Sequence, residues 1–230
     1  MKMIVCLIQT RMKSTRLSGK CMTKIADEPM TSYVIKAAQL SKKIDFTGII
    51  YPDTNEDKEI FYNNYYNKCY CFAGDENNVL KRYYDAVKDM EELTQREIKH
   101  VIRLTSDCPL LAYNSELIDN VIEYHIDNNN EFTHNRGDYG YPSGFDVEIM
   151  TRDIFEECYK NAKTEQEKEH VTLYIKNNKN DFAIGEYNLP NKIHDLSRYR
   201  NWSVDTKEDM MKIREFIDLL LLIKGDIFNG

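Results

Sequence analysis

No apolar stretch in this sequence approaches the roughly 18 residues that cross a bilayer, which removes a membrane-spanning helix. The opening run, Met3-Ile-Val-Cys-Leu-Ile8, is apolar but short, and Arg11, Lys13 and Arg16 follow it at once. That leaves no signal-type cleavage region, so a cytoplasmic protein is expected. A positive surplus is missing too. The formal net charge is −7, which excludes a general nucleic-acid-coating surface. Any anion site must then be a local concentration of positive charge. The six cysteines contain no CxxC pair. Cys69-Tyr-Cys71 has a spacing that sends alternate strand residues to opposite faces, so buried free thiols are expected there rather than a metal site. The two common phosphate fingerprints, GxxxxGK[ST] and GxGxxG, are absent, as are internal repeats and linker-like tracts.

What is present is a chain of 230 residues, 42% apolar and 30% charged, the balance of an ordinary globular protein. Met3–Ile8 reads as a strand buried on both faces. A helix over Pro29–Leu40 and a strand over Phe46–Tyr51 follow, then a helix over Asn55–Tyr66 and a strand over Lys68–Phe72. Next come a helix over Asn77–Glu91, a strand over His100–Thr105 and a helix over Ser115–Asp127. Strands alternating with helices imply βαβ units and a largely parallel sheet. The pattern then becomes mixed. Strands are expected at Phe132–Asn135 and Asp146–Met150 around a turn-rich stretch, then helices from Arg152 and Thr164. Strands near Phe182–Tyr187 and Asn201–Val204 and a last helix from Lys207 complete the chain. A nucleotide-binding half, residues 1–112, would run on into a half, 113–230, that shapes an acceptor pocket.

Ligands of open α/β sheets sit beyond the carboxyl ends of the strands. The segment from Gln9 to Lys20 begins where the first strand ends and carries Arg11, Lys13, Arg16 and Lys20. Ser14, Thr15 and Ser18 add hydroxyls, and Gly19 allows close backbone approach. Guanidinium forks with a lysine point charge suit a polyphosphate, although a charged run of this kind is equally a solvated surface loop. Asp107 and Asp205 each follow an expected strand, so both can face that loop; two carboxylates and a phosphate chain suit Mg²⁺. Each has an ordinary alternative. Asp107 shortly precedes Pro109, as in many turns, and Thr206-x-x-Asp209 beside Asp205 is a capping-box-like helix start.

Ile8-Gln-Thr-Arg-Met-Lys-Ser-Thr-Arg-Leu-Ser-Gly-Lys20 closely resembles the opening motif I-Q-A-R-M-G-S-T-R-L-P-G-K of the cytidylyltransferase family. That family includes the SpsF-type spore-coat polysaccharide proteins and the enzymes that activate sialic, pseudaminic and 3-deoxy-octulosonic acids. The chain departs from the motif at Thr10, Lys13 and Ser18; Lys13 stands where a turn-forming glycine is the rule. Five further segments match in family order: Gly74–Tyr83, Arg103–Pro109, Tyr141–Glu148, Lys168-Glu-His-Val171 and Val204–Asp209.

The resemblance implies a single domain of Rossmann-like three-layer α/β fold, the nucleotide-diphospho-sugar transferase type. Its central sheet would be mostly parallel, with a smaller mixed acceptor and dimerisation region. It implies CTP bound by Gln9, Thr10, Arg11, Met12, Ser14, Arg16, Lys20, Gly74, Asn78, Arg82 and Thr105, and Mg²⁺ held by Asp107 and Asp205. Tyr141, Gly144, Asp146, Glu148 and His170 would meet a sugar-acid or phosphorylated acceptor. The expected reaction is in-line attack of an acceptor oxygen on the α-phosphorus of CTP, with pyrophosphate leaving and Arg11 and Lys20 as the catalytic cations. The acceptor would serve surface polysaccharide synthesis, and a homodimer is implied, with the apolar stretch Ile217–Ile223 as partner face or core. A nucleotide-sugar-dependent glycosyltransferase and a non-catalytic nucleotide-binding domain are the rival readings.

Overall fold

The computed structural model describes residues 2–65, 69–189 and 201–228. The apolar opening run is strand β1 (Met3–Gln9), with Val5, Cys6, Leu7 and Ile8 fully buried. Burial on both faces removes any need for polar alternation, which is why the run is continuous in sequence. A small antiparallel hairpin, β2 (Lys24–Ile25) with β3 (Glu28–Pro29), leads into helix α1 (Met30–Leu40). Then come β4 (Phe46–Pro52), α2 (Lys58–Tyr65), β5 (Tyr70–Gly74), α3 (Val79–Thr94) and β6 (Ile98–Thr105). The expected limits Tyr66 and Lys68 lie outside the described residues.

Strands β1, β4, β5 and β6 are all parallel. The second half supplies α4 (Glu116–Asp127), β7 (Phe132–His134), β8 (Glu148–Thr151), α5 (Arg152–Asn161), α6 (Glu165–Glu169), α7 (Leu173–Asn177), β9 (Ile184–Glu186) and α8 (Lys207–Lys224). Its strands join the same sheet, whose order is β5-β4-β1-β6-β8-β7-β9. β8 runs antiparallel to both its neighbours, and β9 is parallel to β7. Alternate residues of the strands feed two cores. Cys6, Ile8, Ile49, Ile102 and Ile149 pack toward α1, α4 and α8, while Val5, Leu7, Val101 and Met150 pack toward α3, α5 and α7. Helices on both faces make three layers, as the alternating pattern predicts.

The strand order also fixes where a ligand belongs. From β1 the chain moves outward through β4 to β5, then returns to the other side of β1 with β6. The loops leaving β1 and β6 therefore part in opposite directions, and a crevice opens between them at the carboxyl edge. Register places Gln9 beside Thr105 at that crevice.

Three expectations are corrected. Asn201–Val204 is not a strand: Trp202 N–H donates to Ser143 O (2.8 Å) and Val204 N–H to Asp107 O (2.9 Å), single bonds to two different loops instead of a ladder. Asp205 thus reaches the crevice on irregular chain. β8 starts at Glu148, not Asp146, because the Val147 N–H is taken by the Asn135 side chain (2.9 Å) and the Asp146 carboxylate accepts from Gly144 N–H (2.8 Å). The helix expected from Thr164 is two short ones. A capping box of Thr164 and Glu167 starts α6, and the buried β-branched pair Val171-Thr172 interrupts it before α7.

Candidate active site

At the crevice the loop after β1 folds back on itself. Gly19, at φ +70°, turns the chain into a short 3₁₀ helix, Lys20–Met22, and its N–H closes the loop onto Met12 O at 2.8 Å. The other tether is Asp57. This buried carboxylate accepts from Met12 N–H (2.7 Å) and from the Thr54 hydroxyl (2.6 Å). So Met12 and Lys13 are held by main chain and by Asp57, without a glycine at Lys13. The Lys13 side chain is 78% exposed and points to Glu76 at 3.7 Å, so the substitution adds charge at the rim without filling the crevice.

The fold under this loop leaves a cavity of about 250 Å³. Gln9, Thr10, Arg11, Ser14, Arg16 and Lys20 line it from β1 and the loop. Thr105, Ser106 and Asp107 line it from the end of β6, and Val79, Arg82, Glu169, His170 and Asp205 close it. Its charged centre is Lys20, whose side chain is only 13% exposed. The ammonium lies 3.3 Å from Asp107 Oδ2 and 3.1 Å from Asp205 Oδ1, and donates to Val204 O at 2.6 Å. Arg16 meets the same Asp205 Oδ1 at 2.9 Å. Two carboxylates side by side demand a cation, and here Lys20 supplies it. Residues 87 and 185 positions apart in sequence from Lys20 converge on one nitrogen.

A backbone staple holds the two aspartates: Val204 N–H donates to Asp107 O. Downstream, Asp209 accepts from Asp205 N–H (3.1 Å) and Thr206 N–H (2.9 Å), completing the capping box that starts α8. The capping reading of Thr206-x-x-Asp209 and the placement of Asp205 at the cavity are therefore both realised. Asp107 and Asp205 offer hard oxygen donors facing a polar cavity, a set that fits Mg²⁺. No group of three or more potential ligands gathers among the described residues, so further donors would come from a ligand's phosphates and water.

Other residues singled out in the sequence shape the walls. Asn78 caps α3, accepting from Lys81 N–H at 2.8 Å. Arg82 is 2% exposed, and its guanidinium donates to Asp75 O (2.9 and 2.6 Å) and Glu76 O (3.0 Å), binding the loop before α3; burial lowers its pKa to about 10. Gly74 permits that packing, since a Cβ there would stand 2.9 Å from Arg82 Cγ.

Tyr141, Gly144 and Asp146 lie together in the turn-rich segment before β8, and none of the three lines the cavity. Gly144 is required: its φ is +98°, and a Cβ would meet the Trp202 carbonyl carbon at 2.3 Å. Asp146 pairs with Arg136 (3.0 Å), while burial raises its pKa. Tyr141 stacks on Tyr187 with centroids 6.1 Å apart. His170 ends α6 and faces the cavity. Of the five expected acceptor residues His170 alone lines the cavity, and Glu148 is turned into the sheet. Its side chain is 7% exposed and accepts from Arg103 (2.7 Å), Lys176 (2.6 Å) and the Thr172 hydroxyl (3.2 Å). Burial opposes its ionisation, but the two cations win and hold the carboxyl at about 2. Cys69 and Cys71 are free thiols, with Cys71 Sγ directed at Cys69 O.

Sequence reading missed Asp57, Ser106 and Glu169. Asp57 had a local signal, the Thr54-x-x-Asp57 spacing of a helix start, but nothing local announces a bond across 45 residues to Met12.

The structure thus brings a basic loop and paired aspartates together at the switch point of a mostly parallel α/β sheet. The cytidylyltransferase family profile matches residues 5–221, and the chain belongs to that family. It is 27% identical over 216 residues to the spore coat polysaccharide biosynthesis protein SpsF of Bacillus subtilis, covering 92% of this chain and 85% of SpsF. It is 32% identical over 181 residues to the uncharacterized protein MJ1063 of Methanocaldococcus jannaschii, covering 79% and 70%. Among solved structures, a cytidylyltransferase from Leptospira borgpetersenii superposes with a TM-score of 0.84 at 27% identity, over 97% of this chain and 94% of that one. A CMP:2-keto-3-deoxy-manno-octonic acid synthetase complexed with CTP shares the fold at TM-score 0.64 and 14% identity, over 95% and 99%.

Proposed function

We propose that this protein transfers CMP from CTP to an anionic sugar-acid or phosphorylated acceptor, releasing pyrophosphate. The observation that carries the reading is Lys20, desolvated at the cavity floor and aimed by Asp107, Asp205 and Val204 O. A phosphate chain laid along the loop would meet Lys20, Arg11 and Arg16 together. The acceptor oxygen attacks the α-phosphorus in line, and pyrophosphate departs toward the loop cations. No protein nucleophile is required. The chain's work is positioning and charge stabilisation, with Arg11 and Lys20 as the cations that touch the reacting phosphates. Mg²⁺, held by Asp107 and Asp205, would neutralise phosphate charge and polarise phosphorus–oxygen bonds when bound.

Residues 1–112 form the nucleotide half in this reading. The loop Gly74–Asn78, braced by Arg82, meets the base. Tyr141, Gly144, Asp146 and His170, in residues 113–230, meet the acceptor. The likeness to SpsF supports an acceptor used in surface polysaccharide synthesis. The protein acts as a homodimer, and the exposed Leu219, Leu222 and Ile223 of α8 are its candidate contact residues; sedimentation of Leu222→Glu as a monomer beside a dimeric wild type would support that face.

The deciding assay incubates the protein with CTP, Mg²⁺ and a panel of nonulosonic, octulosonic and phosphorylated acceptors and measures pyrophosphate. Release with at least one acceptor, lost in Asp205→Asn, is expected. Sugar transfer from a pre-made nucleotide sugar without pyrophosphate would overturn the proposal.

A further inference from the structure

Arg103 and Glu148 form a buried pair that the reaction outlined above does not use. Arg103 stands on β6 and Glu148 opposite it on β8, and the two are register partners across the sheet. The guanidinium spends one N–H on Glu148 (2.7 Å) and its Nε–H on Gln9 Oε1 (3.0 Å). Guanidinium is a donor only, so the Gln9 carboxamide must turn its carbonyl to Arg103. Its NH₂ then faces away from Arg103, and Gln9 lines the cavity. An amide that would otherwise choose either orientation is thereby set in one.

Arg103 and Glu148 neutralise each other where both side chains are largely buried, so their role at Gln9 is one of orientation. A fixed N–H donor pair is strongest toward a charged oxygen.

We propose that Arg103 and Glu148 are positioning residues that lock Gln9 as a donor-only contact for an anionic oxygen bound in the cavity. That oxygen belongs either to the nucleotide's phosphates or to the acceptor's carboxylate or phosphate. The assignment rests on the cytidylyltransferase reading for its ligands, but not for its geometry.

Gln9→Glu is the sharpest test, because it keeps volume and the oxygen facing Arg103 while replacing the donor pair with a second carboxylate oxygen. Calorimetric titration with CTP and with inorganic tripolyphosphate, and acceptor KM in the pyrophosphate assay, are compared with wild type. A loss of roughly 10- to 100-fold in one of them, with Tm unchanged, is expected. Weaker CTP and tripolyphosphate binding assigns the contact to the phosphates, and a raised acceptor KM alone assigns it to the acceptor. Equal values throughout overturn the proposal. Tripolyphosphate separates the two readings: if wild type binds it but turns over no CTP, the function fails while the Gln9 contact stands; if wild type binds neither anion, both fail. The positioning role is read from a double-mutant cycle. Glu148→Gln should raise the affected constant in wild type yet add nothing in Gln9→Leu, whereas additive losses in a folded double variant would overturn it.

Discussion

Lys20 shows how one side chain can join distant segments. Its ammonium bonds to Asp107, Asp205 and Val204, so deletion leaves two carboxylates facing each other and, in the proposed reaction, takes a cation from the phosphates. Lys20→Ala should lower kcat by about 10²–10³-fold, measured as pyrophosphate release, while Lys13→Ala at the exposed rim changes it little. A kcat for Lys20→Ala within a few fold of wild type would remove Lys20 from the chemistry. The sequence showed Lys20 as one of four cations in a loop. It did not show that this lysine is buried and Lys13 exposed, because both follow from where the chain returns 185 residues later.

At the scale of elements, α8 does two jobs at its first turn. Thr206 accepts from Asp209 N–H (3.1 Å), and Asp209 reciprocates to Thr206 N–H, starting the helix. The same Asp209 carboxylate holds the Asp205 N–H, so the cap also sets the cavity-facing aspartate. Thr206→Ala should cost about 1 kcal/mol, seen as a Tm fall of about 2–4 °C, with a modest loss of activity. Asp209→Ala should lose more activity than Thr206→Ala at similar Tm, because it also frees Asp205. Equal activities would separate cap from site. The cap itself was legible as Thr-x-x-Asp; the missing strand before it was not. Asn201-Trp-Ser-Val204 has strand-like residues, yet its backbone bonds go singly to Ser143 and Asp107.

Across the whole molecule, a buried histidine pair ties β6, α4 and β7 together. His100 Nδ1 and His125 Nε2 lie 3.1 Å apart, and His125 Nδ1 lies 3.0 Å from the Thr133 hydroxyl. One ring nitrogen must donate and the other accept, so the two rings cannot both be charged, and burial favours the neutral form of each. Burial holds His100 at about 4, and burial with the neighbouring His100 holds His125 at about 3, against 6.5 for a free imidazole. Folded values below the unfolded one mean that the unfolded chain binds protons more readily. The contribution is full above pH 6.5 and falls as pH drops through 4 and toward 3. Glu148, at about 2 against 4.5, adds an acid loss that begins only below pH 4.5. The urea midpoint should therefore fall between pH 7 and pH 5, and His125→Gln should flatten that step. An unchanged midpoint over this range would rule out the pair as its source.

What the sequence by itself determined is whatever depends on neighbours along the chain. The continuous apolar run Met3–Ile8 meant a strand covered on both faces, since only there is polar alternation unnecessary. Alternation with helices meant a mostly parallel sheet, and the Gln9–Lys20 segment put four cations in the loop that leaves its first strand. The tertiary structure alone decided which charges meet. Register across β1, β6 and β8 turned Glu148 from a candidate acceptor ligand into the partner of Arg103, and the return of residues 204 and 205 put Lys20 between two aspartates. A side chain's charge is written in the sequence. Its solvation and its partners are set by folding, and those determine whether the charge binds a ligand or holds the fold.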